Sequence, residues 1–413
     1  MTEGRPEHRP EHRPEHRPEQ GWRRPLAVAF GFILIAFFVM VGALGLAIAV
    51  GLTALLAMPP WRNLSRLFPL DLAHSVFLIF IAWAWASTIW SPFDQTGLVF
   101  HILGGALLYP LFVYGVFTLS GKARHIVILT ALISAPFMLA PYLIEGTTGL
   151  ISNFYEEEAS RGAMLRDATR GISAIVMATP ALAALCVLVV TGRKGWIIAA
   201  IGVLLIALVS VQFHLFAALI GLILGGIIFA AGYKWPRSTI LIVTLSFLIM
   251  LLLAPMIMPV FAAPLDGMHL PFSWEWRVKM WPYTGQQINL HPLFGWGLEA
   301  SRTFTEDHFK LRGFTLSYLV QHPHNVGLQV WLETGLIGAL LLSTAIALFG
   351  IRLSSMPGLA RLQGAAISSS GAIILIFFSF TYGAWQEWLW ACIAWVAALC
   401  VLVGTPRHNE GHP

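Results

Sequence analysis

The stretch HPHNVGLQVWLETGLIGALLL, residues 322–342, runs a polar stripe into an apolar segment. Pro323 is expected to start a helix that enters a membrane, with His324 at its mouth. Asn325, Gln329 and Glu333 recur every four residues, which puts them on one helical face. At 1.5 Å per residue Glu333 lies about 12 Å along the helix from Asn325. A carboxylate at that depth is costly in lipid, so the stripe must face a bundle interior or a wet cavity. Gly335 and Gly338 suit close helix packing. A lone histidine at a span end is ordinarily interfacial. One that heads a polar stripe and follows an arginine-rich loop is a candidate acid–base group.

The arginines are the second constellation. In SWEWRVKMWPYTGQQINLHPLFGWGLEA, residues 273–300, Ser273 is a candidate N-cap. Trp274, Val278 and Trp281 fall on one face, which reads as an amphipathic helix on the membrane surface. Arg277 sits between the two tryptophans, where apolar surroundings would strengthen a phosphate contact. The turn His291–Gly297 that follows has glycines for unusual backbone angles. A third place is Arg170-Gly171 in DATRGISAIVMATP, at a junction between loop and span. An arginine there either snorkels to the interface or holds a lipid phosphate.

These groups must be held by membrane spans. Of the 413 residues 57% are hydrophobic and 11% charged, against about 25% charged in soluble domains. Lipid has to solvate much of this surface, so the +5 charge and pI near 9.3 are no nucleic-acid signal. Apolar runs predict an all-α, polytopic transmembrane helical bundle of about 12 spans. They fall near 26–42, 43–58, 74–90, 98–119, 125–143, 171–191, 195–211, 214–231, 238–259, 325–350, 362–382 and 385–404. With the N-terminus inside, the cytoplasmic connections hold Arg62 and Arg66, Lys122 and Arg124, Arg193 and Lys194, Lys234 and Arg237, and Arg352 and Arg361. The short outer turns hold Asp94 with Gln95 and Gln386 with Glu387. This is the positive-inside pattern, and it puts both termini in the cytoplasm. Two long outer loops, about 144–170 and 260–323, are expected to carry interfacial helices. They break the charge pattern with Arg161, Arg166, Arg170, Arg277, Lys279, Arg302, Lys310 and Arg312. Long loops escape the charge rule; an anion site is the functional alternative.

Outside residues 25–406 the chain is hydrophilic. Residues 1–24 contain RPEH RPEH RPEH RPEQ, with a proline in each unit and no apolar residue to bury. They read as a disordered cytoplasmic tail, with His8, His12 and His16 as at most weak metal ligands. Residues 407–413 are a second cytoplasmic tail. Nothing resembles a cleaved signal peptide. Cys186, Cys392 and Cys400 lie in apolar runs and read as inert thiols. Glu156, Glu157 and Glu158 are adjacent and read as solvated; no metal site is expected.

HPHNVGLQVWLETGLIGALLL resembles the signature of the O-antigen ligase and O-antigen polymerase family. So do the Arg277…HPLFGWG stretch, TRGISAIVMATP around Arg170, and WASTIWSPFD as a first outer turn. The resemblance covers most of residues 26–404. It implies a metal-independent, cofactor-free, inverting glycosyl transfer on the periplasmic face of the bacterial inner membrane. The implied donor is an undecaprenyl diphosphate-linked glycan. The implied acceptor is a lipid A-core sugar in a ligase, or a second lipid-linked glycan in a polymerase of O-antigen or exopolysaccharide units. Carried over motif by motif, Arg277 and Arg170 would bind the diphosphate and His324 would act on the acceptor hydroxyl. Asn325, Gln329 and Glu333 would line the substrate site. Arg161, also followed by glycine, competes with Arg170 for the first-loop role. Such arginines favour a leaving diphosphate in the transition state. A polysaccharide transporter is the reading from another class; nearly charge-free spans and polar groups at one face argue against it.

Overall fold

The structure is a computed structural model, and it describes residues 22–58, 72–94 and 97–404. The RPEH repeat, Arg62, Arg66, Gln95 and the tail 407–413 lie outside the described residues.

The chain is an all-α polytopic membrane protein. In order, the apolar helices are α1 (Arg23–Met40), α2 (Leu46–Leu56), α3 (Leu72–Ala86), α4 (Gly97–Phe117), α5 (Gly121–Thr148), α6 (Glu158–Val189), α7 (Arg193–Gln212), α8 (Phe216–Lys234) and α9 (Pro236–Ala262). A loop helix, α10 (Phe272–Leu290), is followed by α11 (Val326–Ser354), α12 (Arg361–Phe380) and α13 (Glu387–Val403). Among the described residues nine helices are long and apolar enough to cross a membrane. The expected spans 43–58, 98–119 and 385–404 fall on shorter apolar helices. The clearest case is α2, whose 11 residues reach only about 16 Å against a hydrocarbon core of about 30 Å.

Small residues decide which helices sit centrally. In α6 the run from Gly171 to Leu182 is buried, with Ser173, Ala174, Ala178 and Ala181 letting neighbours approach. The helix α12 packs on α8 in the same way: a Cβ at Gly232 would lie 2.9 Å from the Ala365 Cα. There Ser369 Oγ donates to the Gly225 carbonyl at 2.7 Å. Leu204, Ile223, Ile227 and Met256, on α7, α8 and α9, point outward, as lipid-facing residues do.

The two ends differ. At one, Arg124 donates from its guanidinium to the carbonyls of Val401 (2.9 Å), Leu402 (2.8 Å) and Gly404, closing the C-terminus of α13. At the other end lie the turns 41–45, 87–94, 149–157 and 381–386 and the long segment 263–325.

The loop expected over about 144–170 is mostly helix. α5 runs to Thr148 and α6 starts at Glu158, leaving 149–157 with a short 3-10 turn at Ser152–Phe154. The Glu145 carboxylate accepts the Ile151 and Ser152 N–H groups (2.7 and 3.0 Å) and folds this link back. The second loop carries α10, a 3-10 turn (Ala300–Thr303) and a hairpin of β1 (His308–Leu311) with β2 (Phe314–Ser317). The hairpin turn is Arg312-Gly313, both at positive φ (50° and 87°). Arg312 fastens it to α10 through both oxygens of Glu275, at 2.9 Å each. Ser273 is not the cap of α10, which begins after Pro271. Nor does α10 rest its apolar face on lipid. It packs on α9 and α11, and Trp281 is fully buried.

Candidate functional site

The helix α11 positions the polar stripe, and its start differs from expectation. Pro323 precedes the helix. Asn325 is the N-cap, its Oδ1 accepting the Leu328 N–H at 2.8 Å. Its Nδ2 donates to the Ser379 carbonyl at 3.0 Å. One turn on, Gln329 Nε2 donates to Glu333 at 3.0 Å, while its Oε1 accepts the Ala384 N–H at 2.7 Å. Glu333 is fully buried. Its oxygens also meet the Glu299 N–H (2.8 Å), the Ser301 hydroxyl (2.7 Å) and Trp385 Nε1. The stripe therefore faces the protein interior. Its three side chains tie α11 to the link 379–386 and to the turn before the hairpin.

Glu333 does not sit on a continuous span. Gly335 breaks α11 with φ 65° and ψ −167°. The segment HPLFGWG fills the break: the N–H groups of Trp296 and Gly297 donate to the carbonyls of Leu332 (2.8 Å) and Glu333 (2.9 Å). In return the Leu336 N–H donates to the Pro292 carbonyl at 2.9 Å. Interrupted helices in membranes need such partners for their freed backbone groups. Two glycines make the approach possible. A Cβ at Gly335 would fall 2.3 Å from the Leu293 oxygen, and one at Gly295 would fall 2.5 Å from the Glu333 carbonyl carbon. The end of α3 and WASTIWSPFD pack over the same place: Trp83 Nε1 donates to the Thr334 carbonyl at 2.9 Å, and Ser91 Oγ to that of Leu298 at 2.7 Å.

His324 stands at the entrance of this frame. Its Nδ1 faces the Thr381 carbonyl at 2.6 Å, which fixes the neutral tautomer with the proton on Nδ1 and the lone pair on Nε2. Burial, and then the charge of Arg277, hold the imidazole down at about 4. His322 is pushed well below the ordinary histidine range by burial first, then by His324, Arg277 and Arg302.

Arg277 reaches the site from α10. It shares a face with Trp281, one turn away, whose Nε1 donates to the Pro323 carbonyl at 3.0 Å. Its guanidinium lies 5.9 Å from the Trp274 ring centroid, and Phe380 completes the wall at 5.6 Å from Trp274. Arg277 donates to the Ser273 carbonyl at 2.7 Å, but its buried Nε–H has no partner. Among the described residues no carboxylate pairs with it. Burial lowers it to about 10, so it keeps its charge at neutral pH.

Arg170 and Arg161 lie on the same helix, α6, but in different surroundings. Arg170 pairs with Asp167 and is one turn from Ser173, whose hydroxyl accepts from the Tyr382 hydroxyl at 2.7 Å. Its charge acts on Tyr382, the neighbour of Thr381. Arg161 is nine residues, about 14 Å, further out along the helix. It is exposed, donates to the Tyr155 carbonyl at 3.1 Å, and lines an open depression with Glu156 and Glu158. Arg170 therefore lies beside the segment that holds His324, while Arg161 is further out at the same end of the bundle.

Sequence reasoning missed the link 379–386, which receives His324, Asn325, Gln329 and Glu333. Its trace in the sequence is TYGAWQEWLW, a glycine and polar pair between two apolar runs. Arg302, counted there only among the basic residues of the second outer loop, is paired with Glu299 and set over the Phe93 ring at 5.5 Å. Among the described residues no group of His, Cys, Asp and Glu converges to hold a metal ion.

Residues 179–343 match the sequence family described as O-antigen ligase. That stretch includes Arg277, His324 and the polar stripe; Arg170 and the link 379–386 lie outside it. A Rickettsia typhi protein named "Putative polysaccharide ligase" is 24% identical over 80% of each chain. A Rickettsia conorii protein of the same name is 23% identical over 81% of this chain and 80% of its own. A Rickettsia prowazekii namesake is 27% identical over 46% of this chain and 48% of its own.

Proposed function

We propose that this multi-pass membrane protein, whose residues 179–343 match the family described as O-antigen ligase, is a lipid-linked glycan transferase. It moves a glycan from undecaprenyl diphosphate to a sugar hydroxyl of lipid A-core, at the periplasmic face of the inner membrane. The observation that carries this reading is Arg277: a half-buried guanidinium with a buried, unpartnered Nε–H and no carboxylate beside it, next to a histidine whose Nε2 holds a lone pair. A partly desolvated cation without a counter-ion is unfavourable, and a diphosphate would supply both the charge and the acceptor oxygens.

The reaction is a single displacement. His324 Nε2 takes the proton of the acceptor hydroxyl as its oxygen attacks the anomeric carbon. The new C–O bond forms on the face opposite the diphosphate, so the configuration inverts. The bond from anomeric carbon to diphosphate oxygen breaks, and the electron pair leaves on the lipid diphosphate. Arg277, with Arg170 from α6, holds that group as its charge grows, which favours the transition state over the ground state. Asn325, Gln329 and Glu333 position His324 and the turn facing it and do not themselves touch substrate. The rings of Trp274 and Phe380 beside Arg277, backed by the buried Trp281, suit the isoprenoid chain.

The test uses the purified full chain in vesicles with an undecaprenyl diphosphate-linked glycan and lipid A-core. Transfer is expected in the wild type. Arg277→Ala and His324→Ala are expected to lower it by at least about 100-fold, within the range for losing an oxyanion donor or an acid–base group, while still inserting. Full activity in either variant removes that residue from the site. In a deletion strain, polymer accumulating on its lipid carrier supports a ligase; single repeat units would point to a polymerase instead.

A further inference from the structure

His322, two residues before His324, touches no substrate in the mechanism above, yet it is among the most constrained side chains of the site. The two rings meet edge to face, 4.4 Å between centroids at 65°. The His324 main-chain N–H donates to His322 Nδ1 at 3.2 Å, so the side chain of one residue closes a turn on the N–H two positions on. Pro323 between them has a fixed φ. His324 itself adopts φ 53°, a left-handed conformation that a residue with a Cβ takes only against a steric cost. Something must hold it there, and the bond to His322 does so directly.

The ring of His322 is pinned on its far side as well. With Nδ1 accepting, the proton of the neutral imidazole sits on Nε2, 3.2 Å from the side-chain amide of Gln386; that amide accepts it when turned to present Oε1, which otherwise is buried without a partner. A Cβ at position 383 would come within 2.8 Å of the His322 ring and of Gln329 Oε1, so the space exists because residue 383 is glycine. Both nitrogens of His322 are engaged, which leaves it no lone pair for a substrate proton. Its neutral state follows from burial and from the three cations or potential cations around it, His324, Arg277 and Arg302.

We propose that His322 is the positioning residue of this site: wedged between Gly383 and Gln386, it accepts the His324 N–H and holds residue 324 in the left-handed conformation that puts Nδ1 on Thr381 and leaves Nε2 for the acceptor hydroxyl. The proposal rests on the preceding reading of His324 as the base. It assigns the first histidine of HPHN a task distinct from the second.

Two variants separate an acceptor from a chemical group. His322→Asn puts a carbonyl oxygen close to where Nδ1 lies and preserves the turn. His322→Leu fills the space with no acceptor. With the full chain in vesicles, kcat and the donor KM are measured across pH, and binding of undecaprenyl diphosphate reports that the site is folded. His322→Leu is expected to lose at least about 100-fold in kcat with donor KM and lipid binding within about threefold of wild type, a loss of the size general-base positioning commands. His322→Asn is expected to stay within about tenfold and to keep the acid limb of the wild-type pH profile. Two results overturn the proposal: a His322→Leu variant as active as wild type, or a His322→Asn variant as inactive as the leucine one while both bind lipid normally. A wild-type protein that binds undecaprenyl diphosphate and transfers nothing overturns the reading of His324 itself, and this proposal with it.

Discussion

At the residue scale the proposed site rests on one cation and one base that oppose each other. Burial, then Arg277, holds His324 at about 4. A bound diphosphate would cancel the Arg277 charge and add negative charge of its own, so the histidine would take up a proton more readily. The base must be neutral to act, and activity is lost as pH falls through its pKa. The acid limb of kcat/KM, which reports the free enzyme, is therefore expected near pH 4. The acid limb of kcat, which reports the complex, is expected at higher pH. Coincident limbs would mean that no anion binds beside His324. The choice of arginine follows from the same burial. It lowers Arg277 to about 10 and leaves it charged at neutral pH. A lysine starts near 10.4 and would be brought toward neutrality by the same surroundings. Arg277→Lys is expected to lose at least about tenfold in transfer, lacking the planar fork. Its residual activity should fall with rising pH well before that of the wild type; a Lys variant matching the wild-type profile would mean that the position needs only charge.

At the element scale the site depends on a helix that stops and restarts. The polar stripe was legible in the sequence because a four-residue recurrence is local, and so was the carboxylate at an unusual depth. The break was not legible. Gly335 reads as a packing glycine until Pro292, Leu293, Trp296 and Gly297 are known to supply the hydrogen bonds that make a break affordable. That pairing spans some forty residues of chain and leaves no periodicity. The link 379–386 was hidden for the same reason. It meets His324, Asn325 and Gln329 through main-chain carbonyls and an N–H, which every residue has, so nothing in the type of Thr381 or Ser379 announces a partner. Between Arg161 and Arg170 the sequence offered identical dipeptides; only the length of α6 separates them. Gly335→Ala tests the break, since its Cβ would meet the Leu293 oxygen at 2.3 Å on a backbone with positive φ. Transfer is expected to be lost and the protein to aggregate at a lower temperature in detergent. Glu333→Leu should act similarly. It strands the Glu299 N–H, Gln329 Nε2 and Trp385 Nε1 donors, at roughly 1–3 kcal/mol each. Normal melting in either variant would show that the junction is not what holds the frame.

At the scale of the whole molecule the helices sort two chemistries to two ends. Arg124 of α5, bonded to the end of α13, marks one end, with Arg193 and Lys194 at the start of α7. Arg277, His324, Arg170 and the link 379–386 mark the other. This separation was legible from the spacing of basic residues between apolar runs, a pattern that lipid imposes on every loop independently. It also gives the orientation a direct test. Cys392 and Cys400 are buried, so after Cys186→Ala the chain offers little thiol background. Gln286→Cys puts a thiol on the exposed side of α10, and Arg193→Cys puts one on the opposite end of the bundle. In cells with a permeabilised outer membrane, a membrane-impermeant maleimide is expected to label position 286 at once and position 193 only after lysis. Both variants leave the proposed machinery untouched, so transfer should persist and certify that the labelled protein is native. The opposite labelling pattern would place Arg277 and His324 in the cytoplasm, where lipid A-core displayed on the periplasmic face could not reach them, and the proposed acceptor would have to be abandoned.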